Sequence, residues 1–111
     1  MQLISPESIF RGIDAWEKSV PQIIELTKSP LILGRSNSTK ILRNKIFRDL
    51  KDNNLNVNSA NLYFDCCYED ISRIKKIILS NNHDSVIAAG GGKVLDAGKY
   101  IAECLNIPCI T

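Results

Sequence analysis

Apolar positions in this chain fall into two alternating kinds of pattern. Leu31-Ile32-Leu33, Asn61-Leu62-Tyr63-Phe64, Val86-Ile87-Ala88-Ala89 and Cys109-Ile110 are short runs bounded by Gly, Pro or Asn, and they predict buried strands. Between them the apolar residues recur at helical spacing: Ile41, Leu42, Ile46 and Leu50; then Ile71, Ile74, Ile77 and Ile78; then Val94, Ala97, Ile101, Ala102 and Leu105. Each such set makes one apolar face on a helix. Strands apolar on both faces, alternating with helices, call for a parallel sheet covered on both sides. The predicted class is α/β, a Rossmann-like parallel sheet with helices on both faces.

Polar residues mark the ends of these elements. Ser36, Asn37 and Ser38 are placed to cap the helix opening near Thr39, and Asn53-Asn54 closes it. Glu69 and Asp70 open the next helix, where negative charge suits the helix dipole. Asn81-Asn82-His83-Asp84 reads as a turn, with His83 a solvated residue of no assigned role. The N-terminal segment is expected to run extended from Ser5-Pro6 to Gly12, then to turn into a helix capped by Asp14 ahead of Ala15 and Trp16. Pro21 should kink or restart that helix.

Size and composition narrow the picture. At 111 residues, 44% apolar and 23% charged, the chain is sized for one packed domain spanning residues 1–111. A formal charge of +2, with Lys and Arg interleaved among Asp and Glu, gives no reason to expect nucleic acid or membrane as partner, so any anion site is local. Met1-Gln2-Leu3-Ile4-Ser5-Pro6 has no basic stretch leading into an apolar run, and no segment approaches ~18 apolar residues, so a cytoplasmic location is expected. Cys66, Cys67, Cys104 and Cys109 lack any CxxC spacing, and His83 is the single histidine. The cysteines are read as reduced thiols, Cys104 and Cys109 as small core residues. No metal site and no catalytic residue is predicted within the chain.

One segment carries candidate chemistry. Val86-Ile87-Ala88-Ala89 runs straight into Gly90-Gly91-Gly92-Lys93 and then into a helix. Glycines let a backbone approach a pyrophosphate with no Cβ in the way, and the first amides of a helix point at the anion. The segment departs from the common dinucleotide fingerprint, which needs glycine where Leu95 stands. It also departs from a Walker A loop, which needs glycine at Ile87 and Ser or Thr at Val94. On glycines alone a phosphate loop and a simple tight turn are both open. Asp96 and Lys99 follow Lys93 at three-residue steps, within a broad stripe of one helix, which is also what an ordinary polar face would show.

The full string Gly90-Gly91-Gly92-Lys93-x-x-Asp96-x-x-Lys99 resembles the iron-containing alcohol dehydrogenase superfamily, in particular its glycerol dehydrogenase branch. Ser5-Pro6, Gly12 and Ala15 resemble that branch's opening, and Asn106-Ile107-Pro108-Cys109-Ile110-Thr111 resembles the run into a further cofactor loop, so the whole chain is covered. The resemblance implies a dinucleotide-binding domain for NAD or NADP. Gly91 and Gly92 would meet the pyrophosphate, Lys93 would assist, and Asp96 would lie toward the nicotinamide; Lys99 matches the motif without an assigned contact. Gly34, Arg35 and Ser36 occupy the strand end where many members carry an acidic residue for the adenosine ribose. Arg35 there, with Ser36 and Ser38, predicts tolerance of or preference for NADP(H); the bland reading is a solvated loop charge.

Within such a family the reaction is reversible hydride transfer between a small alcohol or polyol and NAD(P), with iron or zinc as Lewis acid. The metal would be held by an aspartate and histidines of a helical domain, which this chain lacks. The chain is therefore expected to be a fragment, inactive alone, of a homo-oligomeric parent, with an apolar flank where the helical domain docks. A glycerol-1-phosphate dehydrogenase or dehydroquinate synthase type of domain is the nearest alternative, although Lys93 and Gly98-Lys99-Tyr100 speak against the synthase. A non-catalytic nucleotide-binding module is the other.

Overall fold

The computed structural model describes residues 6–35, 39–63 and 68–110. Their order is α1 (Pro6–Leu26), β1 (Pro30–Gly34), α2 (Lys40–Asp52), β2 (Asn58–Asn61), α3 (Tyr68–Ser80), β3 (Ser85–Ala88), α4 (Gly92–Leu105) and β4 (Cys109–Ile110). The strands form one parallel sheet in the order β2-β1-β3-β4.

Successive strand residues face opposite sides of a sheet, and the core divides accordingly. Leu31, Leu33, Val86 and Ala88 point to one face, where Ile71, Ile74 and Ile78 of α3 and Val94, Ala97 and Ile101 of α4 cover them. Ile32, Ile87 and Ala89 point to the other, against Trp16 and Ile23 of α1 and Ile46 and Leu50 of α2. The two central strands are thus buried on both faces, which is why they read as unbroken apolar runs. Across the second face Trp16 Nε1 donates to Asp49 Oδ2 at 2.9 Å, and Lys45 reaches both Asp49 and Glu17, pinning α1 to α2.

Four expectations need correction. The segment from Pro6 to Gly12 is helical rather than extended, and α1 runs unbroken through Pro21. Proline suits the first helical position, where no amide partner is needed. Pro21 lies on the exposed side, so the lost amide bond is left to solvent while Trp16 and Ile23 hold the opposite side in the core. The second strand is Asn58–Asn61, three residues ahead of the expected Asn61–Phe64. It is an edge strand, defined by its ladder with β1 at Leu31↔Asn58 through Gly34↔Asn61, so only Ala60 needs to be apolar. Leu62 follows it into the core and Tyr63 is exposed; Phe64 lies outside the described residues.

His83 is the third, being 5% exposed rather than solvated. Its Nδ1 stands 3.0 Å from the Ser29 carbonyl oxygen and 3.1 Å from Ser29 Oγ. A carbonyl only accepts, so Nδ1 carries the proton and Nε2 is left buried with no hydrogen-bond partner among the described residues. Beside it Thr27 donates to Asp84 and shares a 2.7 Å contact with Ser85 Oγ, while Asp84 accepts from the Lys28 and Ser29 amides. This polar knot closes the amino-terminal ends of β1 and β3. Of the cysteines, Cys109 is half-buried against the core but Cys104 is exposed on α4, not a core residue; Cys66 and Cys67 lie outside the described residues.

Candidate functional site

The connection from β1 goes to β2 on one side, and that from β3 goes to β4 on the other. Neighbouring strands whose connections diverge leave a crevice beyond their carboxyl ends, where ligands of open α/β sheets bind. Here the crevice lies between Gly34-Arg35 and Ala89-Gly90-Gly91-Gly92. The two ends are tied level by the Ala89 amide donating to the Leu33 carbonyl at 2.9 Å. Gly34, Arg35, Gly90, Gly91 and Gly92, widely separated in sequence, are thereby brought to one edge; Ser36, with Asn37 and Ser38, lies outside the described residues.

The glycine loop has a simple geometry. Gly91 is the N-cap of α4, with φ −81° and ψ −171°, and its carbonyl accepts the first helical bonds from Val94 and Leu95, both at 3.1 Å. No described glycine has a positive φ. A Cβ at Gly90 would press on the Val94 side chain at 3.0 Å, but at Gly91 and Gly92 it would meet no described atom within 4 Å. Neither positive φ nor contact with a described atom therefore requires glycine at these two positions. What glycine does there is keep open space in front of a helix N-terminus, where unsatisfied amides and the helix dipole favour an anion.

Lys93 and Asp96 are exposed at the start of α4, and Val94, Ala97, Gly98 and Ile101 form its buried face. The expected polar stripe thus exists, with Lys93 and Asp96 in the first two turns. Lys99 is farther along, about 9 Å from Lys93 by helical rise. Burial pushes the Cys109 thiol up, and the charge of Lys99 draws it down. Below Gly90 a largely apolar cavity of about 430 Å³ opens between α1, α2 and β3, walled by Trp16, Ile46, Ile87, Ala89 and Leu95. That volume is in the range of small-molecule pockets.

Two features of the site were not recognised in the sequence. Gly98 lets α4 approach β3: a Cβ there would stand 2.9 Å from that of Ala88 and 3.4 Å from Cys109 Sγ. An isolated glycine inside a helical pattern was its available signal. Arg43 is 7% exposed, with Nε donating to Thr39 Oγ1 at 3.0 Å and Nη1 to Asn61 Oδ1 at 2.6 Å. Its signal was a charge on the buried stripe that continues through Ile46 and Leu50. Burial lowers the Arg43 pKa from its usual value, though a guanidinium stays protonated in proteins.

Among the described residues no three His, Cys, Asp or Glu side chains stand together as a metal site. None of the described helices is long and apolar enough to cross a membrane.

Comparison with known proteins adds family context. The family model for iron-containing alcohol dehydrogenase matches residues 6–109. Glycerol dehydrogenase 1 of Schizosaccharomyces pombe is 29% identical over 107 residues, covering 96% of this chain and 24% of that protein. Glycerol dehydrogenase of Escherichia coli is 24% identical over 104 residues, covering 94% of this chain and 28% of that protein. The crystal structure of glycerol dehydrogenase from S. pombe superposes with a TM-score of 0.67 at 26% identity, over 86% of this chain and 24% of that one. A probable glycerol dehydrogenase from Sinorhizobium meliloti shares the fold, with a TM-score of 0.61 at 22% identity over 84% of this chain. The chain spans about a quarter of the length of the curated relatives it matches.

Proposed function

Because this chain belongs to the iron-containing alcohol dehydrogenase family, we propose that it is the nicotinamide-dinucleotide-binding portion of a metal-dependent alcohol or polyol dehydrogenase. The observation that carries the reading is the glycine loop at the β1/β3 switch point. Gly91 and Gly92 have no positive φ and no described atom within reach of a Cβ, which supports a ligand, rather than the fold, as what needs them bare.

In this reading the amides of Gly91, Gly92 and the first turn of α4 hold the pyrophosphate, and Lys93 adds positive charge beside it. Asp96, one turn further on, faces the nicotinamide half, and Gly34 with Arg35 flanks the adenosine half. The open edge of the sheet lets both halves of a dinucleotide lie across the carboxyl ends of β1 and β3. When bound, the cofactor supplies the hydride acceptor or donor at its nicotinamide ring; the chain's own part is to bind and orient it. The described residues offer no metal-ligand set, so polarisation of the alcohol oxygen by iron or zinc belongs to the rest of the parent protein. On its own the chain binds cofactor without turning over substrate.

Titration of the purified chain with NADH and NADPH, read by nicotinamide fluorescence, tests this. Saturable binding is expected, and Gly91→Ala or Gly92→Ala should leave the circular dichroism spectrum and unfolding midpoint essentially unchanged. Each should weaken binding by about tenfold or more, as a methyl group displaces a phosphate from backbone amides. Absence of binding, or alanine variants that bind as well as the original chain, would refute the reading.

A further inference from the structure

Helix α3 buries Asp70, Ile71, Ile74 and Ile78 and turns Tyr68, Glu69, Ser72, Lys75, Lys76 and Leu79 outward or toward the rim of the core. Successive helical residues are about 100° apart, so Tyr68, Ser72, Lys75 and Leu79 line up within about 60° of one another. Glu69 and Lys76 make a second row beside them. Tyr68 is 81% exposed and Leu79 63%. Lys75 lies 5.6 Å over the ring of Tyr100, itself exposed, which widens the surface onto α4. Neither Glu69 nor Lys76 has an ion-pair partner among the described residues.

The first row is spaced by four, three and four residues, and so reads the same from either end. Such a row matches its own image when two copies of the helix cross antiparallel about a two-fold axis. That is the condition for an isologous contact, in which one patch serves both subunits. With the axis level with the middle of the row, Tyr68 stands opposite Leu79 of the partner subunit, and Ser72 opposite Lys75 of the partner subunit. The second row adds complementary charge. Glu69 falls within about 3 Å, along the helix axis, of the level of Lys76 of the partner subunit, on the same side of the contact. Symmetry makes each of these contacts twice. A parallel crossing would instead set like charges against each other, and an acidic partner that suited the lysines would repel Glu69. A second copy supplies both signs in the right places.

We propose that the exposed face of α3 is a homodimer contact, two copies of the chain crossing antiparallel on Tyr68, Glu69, Lys76 and Leu79. The inference does not depend on the dinucleotide reading. A strip about 20 Å long and one helix wide, even extended by Tyr100, is smaller than a standard interface, so the dimer is weak, with a dissociation constant on the order of 100 μM.

Sedimentation equilibrium of the intact chain over a concentration series tests this, and a monomer–dimer equilibrium is expected. Leu79→Ser should weaken it by about tenfold or more, as an apolar contact made twice is lost. Glu69→Lys and Lys76→Glu should each weaken it by about tenfold, because both charged contacts then face a like charge. An equimolar mixture of these two variants should associate as a heterodimer, since each contact regains its opposite, and the double variant should dimerise about as well as the unmodified chain. Circular dichroism reports whether each variant is folded; if Glu69→Lys, at the helix start, is not, Leu79→Ser and Lys76→Glu carry the test. A chain that stays monomeric throughout the series overturns the inference and leaves this face to another occupant. So does a dimer that folded Leu79→Ser and Lys76→Glu leave undiminished, as do two folded single-charge variants whose mixture fails to associate.

Discussion

Replacing Gly98 by alanine sets two effects of comparable size against each other. Gly98 is in the middle of α4, where a change to alanine would ordinarily stabilise the helix by about 1 kcal/mol. The new methyl group, however, would stand 2.9 Å from Cβ of Ala88, whereas carbon atoms pack best at about 3.5–4.0 Å. Ala88 belongs to β3 and its Cβ has no rotamer to change, so relief requires α4 to lift by roughly half an ångström to one ångström, given that optimum separation. Overpacking of this kind costs about 1–3 kcal/mol. The sum runs from near zero to about 2 kcal/mol destabilising, and Gly98→Leu, with three more carbons between helix and strand, should exceed it. Urea unfolding followed by circular dichroism, with constant m-value, measures the change as a shift in midpoint. Because α4 carries the glycine loop at its start, cofactor affinity should fall in both variants even where they remain folded. A gain of the full ~1 kcal/mol for Gly98→Ala would show that the helix and strand are not in tight contact, and would refute the reasoning.

Other consequences concern the polar knot and the joint between α1 and α2. Burial pushes His83 below its usual 6.5, so the unfolded chain takes up a proton first. Stability is intact above that value and declines as pH falls through it toward the lowered folded value, and His83→Gln should flatten this limb in an acid-unfolding series. Asp84 supplies a second limb: although its burial alone would raise it, bonds from Thr27, the Lys28 and Ser29 amides and Ser85 hold its carboxyl below 3.8. Its contribution is complete above 3.8 and is lost as pH falls through the depressed folded value, a step that Asp84→Asn should abolish along with about 1–3 kcal/mol of stability at neutral pH. Trp16→Phe keeps most of the buried ring but loses the bond to Asp49, and a cost of about 0.5–1.5 kcal/mol is expected. Since Trp16 is the single tryptophan, denaturation must be followed by circular dichroism rather than fluorescence.

Much of the architecture was legible because the central strands and the inward faces of α2, α3 and α4 bury their residues in regular periods. Burial imposes that periodicity on the sequence, so the α/β class and three of the four strands could be read from it. Where burial is incomplete the signal failed. At the edge, β2 is held by main-chain bonds to β1 and tolerates the polar run Asn58-Ser59-Ala60-Asn61, so the apolar run Leu62-Tyr63-Phe64 lies beyond the strand rather than in it. At the start of α1, Gly12 and Pro21 weigh against helix locally, while packing of Trp16 and Ile23 on the sheet outweighs them.

The glycine loop shows the same division at the site. Gly90-Gly91-Gly92-Lys93 with Asp96 and Lys99 was enough to suggest the family and the kind of ligand. The sequence could not separate a phosphate cradle from a tight turn, because the two differ only in backbone angles and in what surrounds each Cβ. Ordinary angles at Gly91 and open space at Gly91 and Gly92 are what the tertiary structure adds to that question. Likewise His83 reads as a turn residue from its place in Asn81-Asn82-His83-Asp84, whereas its hydrogen-bond partner Ser29 is 54 residues away. Arg35 stood out by adjacency to Gly34, yet Arg43 covers that glycine and Arg73 meets Arg43 through Asn61. Local composition and period determined most of the elements and the glycine motif. The strand order decided which loops share a crevice, and only close packing between residues distant in sequence decided which charges stand at its rim.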